Sequence, residues 1–81
     1  MKLEDLIPEK IVDTTGLSCP MPLLKTKKAL SGMASGEIVE VISSDPGSQK
    51  DIPKFGDKGG NTYLGNLHAD NGTIKYYIRK G

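Results

Sequence analysis

The last third of the chain carries the pattern that most restricts the fold. Asn71-Gly72 stands between two strand-like runs, and this dipeptide is the strongest short signal for a hairpin that a sequence offers. The run after it, residues 73–80, alternates between an apolar face with Ile74, Tyr76 and Ile78 and a second face with Lys75, Tyr77 and Arg79. Its hairpin partner is predicted at residues 61–69. A sheet with one apolar face has to be covered by other elements of the same chain.

Residues 10–14 are rich in β-branched side chains and predict a first strand, which Gly16 ends. From residue 20 to about residue 35 the apolar spacing becomes helical. The predicted buried stripe of this helix contains Leu23, Thr26, Leu30, Met33 and Ala34. Gly36 follows at the position expected for a helix stop.

The apolar run at residues 37–44 is too short for a helix and predicts a central strand. Asp45-Pro46-Gly47-Ser48 then predicts a turn into a second helix over residues 47–58, with Asp45 or Ser48 as its cap. Pro53 and Gly56 predict that this helix is irregular.

The predicted order is β-α-β-α-β-β, which belongs to the α+β class. We expect a two-layer α/β sandwich with a mixed four-stranded sheet and two helices on one face. Residues 1–9 are interpreted as an N-terminal lead-in and residues 10–81 as the domain. A domain within a chain of only 81 residues has little room for an internal cavity, so any chemistry is expected at its surface.

Charge and composition exclude several functions. Eleven basic and ten acidic residues give a net charge of +1, which does not indicate a dedicated nucleic-acid binder. The N-terminus lacks the apolar core of a signal peptide, and no run is long enough to span a membrane. A single cysteine allows no intrachain disulfide and no multi-cysteine metal site, and it fits a reducing compartment. We therefore expect a soluble, cytoplasmic protein without metal or cofactor.

That cysteine, Cys19, is the candidate catalytic residue. Pro20 predicts the first helical position, so Cys19 would lie at or beside the N-cap, where a cysteine caps poorly. The positive end of the helix dipole would lower the pKa of the Cys19 thiol, and Lys25, Lys27 and Lys28 would act weakly in the same direction. The thiolate is the reactive form of cysteine. The opposing interpretation is a buried, inert cysteine, which is common, but the position on a turn after Ser18 favours exposure.

The other polar candidates have structural interpretations. His68 is predicted to be a surface residue of the third strand without a path to Cys19, and one Cys and one His cannot form a metal site. Asp45 and Asp51 are expected near the start of the second helix, and Asp13 is expected to order the turn that presents Cys19. Met21, beside the thiol, is a candidate docking contact for a partner.

The residues around the thiol resemble a known family. Asp13-x-x-Gly16-x-x-Cys19-Pro20-x-Pro22 is similar to the motif of the TusA/SirA-like sulfur carriers. The resemblance continues over residues 10–81, through the segments at 36–41, 45–47, 51–53 and 76–80. It implies the fold of the C-terminal domain of a bacterial translation initiation factor. Many members of the family have Gly-His where this chain has Gly60-Asn61, and some have a second cysteine at the position of Gly56.

The resemblance also implies a function. Cys19 would accept sulfane sulfur as a persulfide from a cysteine desulfurase or rhodanese-like donor and relay it to an acceptor protein. Users of that sulfur in the family include tRNA thiolation, molybdenum-cofactor enzymes and sulfur oxidation. We expect a monomer that does not bind nucleic acid directly.

Three alternatives remain at the level of the sequence. The first is a redox-sensing or regulatory binding module whose thiol is oxidised. The second is an RNA-binding domain, suggested by fold analogy alone and disfavoured by the neutral charge and few aromatic residues. The third is a thiocarboxylate carrier, disfavoured because the sequence ends Arg79-Lys80-Gly81 without a Gly-Gly tail.

Overall fold

The computed structural model of the chain describes residues 7–17, 21–57, 60–69 and 72–81. Four strands and two helices alternate in the predicted order, and the predicted α+β class is confirmed. The elements are β1 (Lys10–Thr14), α1 (Met21–Ser31), β2 (Ile38–Ser43), α2 (Ser48–Gly56), β3 (Thr62–His68) and β4 (Ile74–Arg79).

The four strands form one mixed sheet in the order β1-β2-β4-β3. β1 pairs in parallel with β2, whereas β4 is antiparallel to both of its neighbours, β2 and β3. β1, β2 and β3 therefore run in the same direction. Since α1 follows β1 and α2 follows β2, both helices start from the same end of the sheet, which we call the helix-start end.

The core lies between the sheet and the two helices. Val39 and Val41 of β2 and Ile52 of α2 are fully buried, and the helix α1 adds Ala29 and Leu30. The three apolar residues predicted for one face of β4 all belong to this core: Ile74, Tyr76 and Ile78. Because strand side chains alternate, these contacts place both helices on one face of the sheet.

Helix α1 ends earlier than the sequence predicts. It stops at Ser31, and Gly32 and Met33 donate backbone hydrogen bonds to carbonyl groups only three residues earlier. Met33 still reaches the core with 9% of its surface exposed, but Ala34, predicted for the buried stripe, is exposed. The predicted helix was too long because the helical spacing of apolar residues continues to Met33. The turn after Ser31 has bonds between residues three apart, and it still directs Met33 toward the core.

Neither predicted cap of α2 forms its N-cap. Gly47 takes that position without a side-chain bond, and Ser48 is the first helical residue. Asp45 Oδ1 instead accepts the Gly47 N–H at 3.2 Å. Ser48 Oγ donates to the Asp45 carbonyl at 2.6 Å and lies 2.8 Å from the hydroxyl of the buried Tyr76. This pair ties the start of α2 to β4, and burial raises the pKa of Tyr76.

The face of the sheet opposite the helices has a buried pair of its own. Tyr77 donates its hydroxyl to Glu40 Oε1 at 2.6 Å, and the two residues are register partners on β4 and β2. Only 4% of Tyr77 and 8% of Glu40 are exposed. Burial and the neighbouring carboxylate raise the pKa of Tyr77 to about 12.

The predicted turn between β3 and β4 is closed by a hydrogen bond from the Ala69 N–H to the Thr73 carbonyl at 2.8 Å. Gly72 has a φ of +84°, a conformation that glycine adopts without strain. Asn71 lies outside the described residues. None of the helices in the described ranges is long and apolar enough to cross a membrane.

Candidate functional site

The turn after β1 is fixed by hydrogen bonds within it. Asp13 Oδ1 accepts the backbone N–H of Thr15 at 2.9 Å and the Thr15 hydroxyl at 2.5 Å. These two bonds lower the pKa of Asp13 below 3.8, so the carboxylate is ionised at neutral pH. Leu17 donates its N–H to the Thr14 carbonyl at 3.0 Å, and Gly16 has a φ of +83°. Asp13 thus orders the turn, as its place in the sequence predicts.

A second set of contacts joins this turn to the loop after β2. The Gly16 N–H donates to Ser44 Oγ at 2.9 Å. Two residues earlier in each strand, the buried Thr14 donates its hydroxyl to the Ile42 carbonyl at 2.6 Å. The loops that lead into the two helices are therefore held side by side at the helix-start end.

Ser18, Cys19 and Pro20 lie outside the described residues, between Leu17 and Met21. The chain on either side of them is defined. It leaves β1 through the ordered turn and enters α1 at Met21. Both helices start at this end of the sheet, so the positive ends of their dipoles lie at the same end.

The first turn of α1 is anchored on one side and exposed on the other. Pro22 is buried, and its carbonyl accepts the hydroxyl of the fully buried Thr26 at 2.7 Å. The burial of Pro22, Thr26 and Ala29 on one side of α1 sets the rotation of the helix about its axis. Met21 and Leu24 consequently face outward, with 41% and 54% of their surfaces exposed. The exposure of Met21 is what its interpretation as a docking contact requires.

Leu24 lies at the edge of a groove between α1 and α2. The groove has a volume of about 480 Å³, and apolar surface forms most of its lining. Lys27 from α1 and Lys80 from beyond β4 supply charged groups there. The lining residues are Leu23, Leu24, Lys27, Leu30, Ser31, Phe55, Asn61 and Lys80. We call this the interhelix groove. The sequence did not predict it, since it depends on how the two helices pack against each other.

The three lysines of α1 do not form one group. Lys27 lines the interhelix groove, whereas Lys25 and Lys28 face β1 on the other flank of the helix. All three are exposed. The sequence analysis treats these lysines as one group near the thiol, but the rotation of α1 directs them to two different flanks of the helix.

The remaining candidates are not brought into a catalytic arrangement. His68 is the last residue of β3 and is exposed. Register pairs connect it across the sheet to Ile74 of β4, then to Ser43 of β2 and finally to Thr14 of β1. Three strand spacings, about 14 Å, therefore separate His68 from the end of β1. Asp51 lies in the first turn of α2. Among the described residues, no group of acidic, histidine or cysteine side chains could hold a metal ion.

Comparison with known proteins finds one matching family, similar chains and a similar solved structure. The model of the sulfurtransferase TusA family matches residues 10–80. The sulfur carrier protein TusA of Pseudomonas entomophila is 40% identical, with 96% of each chain covered. TusA of Allochromatium vinosum is 39% identical over 85% of this chain and 90% of its own. A crystal structure of a SirA-like protein from Desulfitobacterium hafniense superimposes with a TM-score of 0.79 at 30% identity, covering 89% of this chain and 97% of the other.

Proposed function

Because the chain belongs to the sulfurtransferase TusA family, we propose that it carries sulfur as a persulfide on Cys19. A sulfur-carrier role follows from the family, and Cys19 is the only cysteine in the chain that could hold the sulfur atom. The observation that carries the proposal is the family match over residues 10–80, which includes this cysteine and its motif.

Loading requires one displacement at sulfur. The Cys19 thiolate attacks the terminal sulfur of a persulfide on a donor protein, a new S–S bond forms at Cys19 Sγ, and the donor cysteine leaves as a thiolate. Discharge repeats the step with an acceptor thiolate attacking the terminal sulfur on Cys19. Neither step needs an external oxidant or reductant, since the sulfane sulfur only changes its thiol partner.

The geometry of the helix-start end supports such a transfer. Helix α1 starts at Met21, two residues after Cys19, so the positive end of its dipole would stabilise an anion on Cys19 and lower the pKa of the thiol. The hydrogen bonds of Asp13 and Gly16 hold the strand side of the segment in place. A fixed attachment point favours in-line approach of two sulfur atoms.

The surroundings also support docking to larger proteins. Met21 and Leu24 are exposed apolar side chains within the first four residues of α1, and the interhelix groove begins beside Leu24. Exposed apolar groups next to a reactive residue are typical of protein-binding surfaces. We propose that a donor of the cysteine desulfurase or rhodanese type and a separate acceptor protein use this surface in turn. The carrier would act as a cytoplasmic monomer, with residues 10–81 as the carrier domain.

Loading can be tested by mass spectrometry of the intact protein. The chain is incubated with a cysteine desulfurase, pyridoxal phosphate and cysteine, and Cys19→Ser is treated in parallel. We expect one additional sulfur atom on the wild-type chain, removed by dithiothreitol, and none on Cys19→Ser. Equal labelling of the variant, or no labelling of the wild type by either a desulfurase or a rhodanese donor, would refute the proposal.

A further inference from the structure

A second surface lies on the flank of α1 that faces β1, away from the interhelix groove. It is an open groove of about 380 Å³ between the helix and the edge strand. Its floor contains Val12 and Ala29, and Lys10, Lys25 and Lys28 surround it. We call it the β1 groove.

The charge of the β1 groove is strongly one-sided. Three lysines line it, and the one carboxylate in its lining, Asp13, already accepts two hydrogen bonds from Thr15. Within the part of the chain that the structure describes, none of the three ammonium groups forms an ion pair. For a chain with a net charge of only +1, this is a local concentration of positive charge.

The backbone next to these lysines lies at an edge of the sheet. Among the described strands, β1 pairs with β2 alone. Every second residue of an edge strand directs its N–H and C=O away from the sheet, where another extended chain can pair with them. Lysines at an edge disfavour pairing with a second copy, because like charges would meet, but they favour an acidic strand.

The two faces of β1 differ in a way that specifies the side chains of such a strand. Val12 packs toward the helices, so Lys10 shares that face with it, and Lys25 and Lys28 lie above. Ile11 also borders the groove, but its position in the strand assigns its side chain to the opposite face, and it is 59% exposed. A strand added to β1 would direct alternate side chains toward the lysines and toward Ile11.

From these observations we propose that β1 binds an extended acidic segment of a partner protein by strand addition. Acidic side chains of the segment would contact Lys10, Lys25 and Lys28, and the apolar side chains between them would cover Ile11. This interaction is separate from sulfur chemistry and does not require Cys19. It would hold a partner on one flank of α1 while the interhelix groove on the other flank stays free.

The test uses a short fluorescein-labelled peptide in which glutamate and valine alternate, with fluorescence anisotropy as the readout. A peptide of the same composition with its glutamates and valines in separate blocks controls for charge alone. We expect the alternating peptide to bind more tightly, and its binding to weaken as salt is raised. Backbone amide shifts in an NMR titration should change along β1 and not along the other edge, β3.

Charge reversal locates the site. Lys25→Glu with Lys28→Glu should weaken peptide binding about tenfold or more, whereas Lys50→Glu with Lys54→Glu on α2 should change it less than about twofold. All four side chains are exposed, so folding should be preserved. Binding to Cys19→Ser should equal that of the wild type, which separates this result from any outcome of the sulfur-loading test.

Several results would overturn the proposal. They are equal binding of the block peptide, equal effects of the two lysine pairs, or amide shifts that avoid β1. Tighter binding of a single-stranded oligouridylate than of the peptide at the same salt concentration would instead identify the β1 groove as a nucleic-acid site. Sedimentation of the chain as a dimer that Ile11→Lys dissociates would identify the occupant as a second copy.

Discussion

The backbone N–H of Gly16 donates to Ser44 Oγ at 2.9 Å, across a separation of 28 residues in the chain. This bond joins the turn after β1 to the loop after β2, the two places where the chain leaves the sheet to form a helix. The segment that contains Cys19 begins two residues after Gly16. Its strand-side attachment is therefore held by the neighbouring loop as well as by the turn itself.

Removing this bond should weaken both folding and transfer. We expect Ser44→Ala to lower the free energy of unfolding by about 0.5–1.5 kcal/mol, because one hydrogen bond to the backbone is lost. The rate of sulfur loading should also fall, because the position of the thiol relative to α1 becomes less defined. Chemical denaturation and single-turnover loading measure the two effects.

Glu37→Ala is the matched control for this prediction. Glu37 Oε1 also accepts one backbone N–H, from Ala34 at 2.7 Å, but it precedes β2 at the end of the sheet away from the helix starts. It should have a similar effect on stability and none on loading. A loading rate in Ser44→Ala as high as in Glu37→Ala would show that the bond between the two loops does not matter for transfer.

Leu24 separates docking from folding. Leu24 is 54% exposed, so Leu24→Ala should change the free energy of unfolding by no more than about 0.5 kcal/mol. It should slow loading by a protein donor but not the reaction of the thiol with a small disulfide reagent. The comparison variant is Leu30→Ala, whose buried side chain should cost about 2–5 kcal/mol of stability. Unchanged loading of Leu24→Ala would exclude this side chain from the donor interface.

Gly56 marks a close approach of α2 to the sheet. A Cβ atom at this position would lie 3.0 Å from Tyr63 Cβ and 3.3 Å from two side-chain carbons of Ile78. Gly56→Ala should therefore destabilise the protein by about 1–3 kcal/mol through overpacking. Gly32→Ala, where the nearest atom is a backbone oxygen at 3.8 Å, should be tolerated. Equal melting temperatures of the two variants would contradict the packing described for α2.

This contact also bears on the second cysteine that some family members have at the position of Gly56. In this chain the glycine is buried against Tyr63 and Ile78, and a larger side chain there would displace them. The single-thiol composition is thus consistent with the packing of α2, and sulfur transfer here would depend on Cys19 alone.

The Tyr77–Glu40 pair predicts how stability depends on alkaline pH. The pKa of Tyr77 in the folded protein, about 12, is above the ordinary value of 10.0, so folding favours the protonated phenol of Tyr77. The corresponding stability is fully present below pH 10.0 and is lost as the pH rises toward about 12. Tyr77→Phe should remove this part of the pH dependence and also lower stability at neutral pH, because the Glu40 carboxylate loses a buried partner.

Denaturant midpoints measured from pH 8 upward would test this prediction. Tyr63, whose pKa is also raised by burial, provides the control, since its hydroxyl bonds only to the exposed Asn66 among the described residues. Tyr63→Phe should keep most of the alkaline dependence. Parallel curves for the wild type and Tyr77→Phe would contradict the assignment.

Local sequence patterns predicted most of the fold: periodicity, β-branched composition and turn residues. The alternation of Ile74, Tyr76 and Ile78 identified the core face of β4, and the bounds of β1 were predicted correctly. The end of α1 was predicted wrongly because Met33 remains buried after the helix has stopped at Ser31. Apolar spacing records which side chains face the core, not which backbone hydrogen bonds are made.

Other features depend on contacts between elements and could not be predicted. The pairing of Tyr77 with Glu40 follows from the register of β2 against β4. Lys25 and Lys28 lie on one flank of α1 and Lys27 on the other because of the rotation of the helix about its axis. For the site itself, the sequence predicted the ordering role of Asp13, and Cys19 stays a prediction because it lies outside the described residues. The contribution of Ser44 required knowledge that the β1 and β2 loops are neighbours.

Cyanolysis of the loaded protein tests the central claim most directly. The chain is loaded with sulfur, separated from the donor, and treated with cyanide, which removes sulfane sulfur as thiocyanate. A carrier persulfide predicts about one thiocyanate per chain, with the mass of the free thiol restored and no thiocyanate from Cys19→Ser. Thiocyanate yields near zero, with Cys19 found as a sulfenic acid or mixed disulfide, would contradict the carrier and identify a redox-responsive thiol instead.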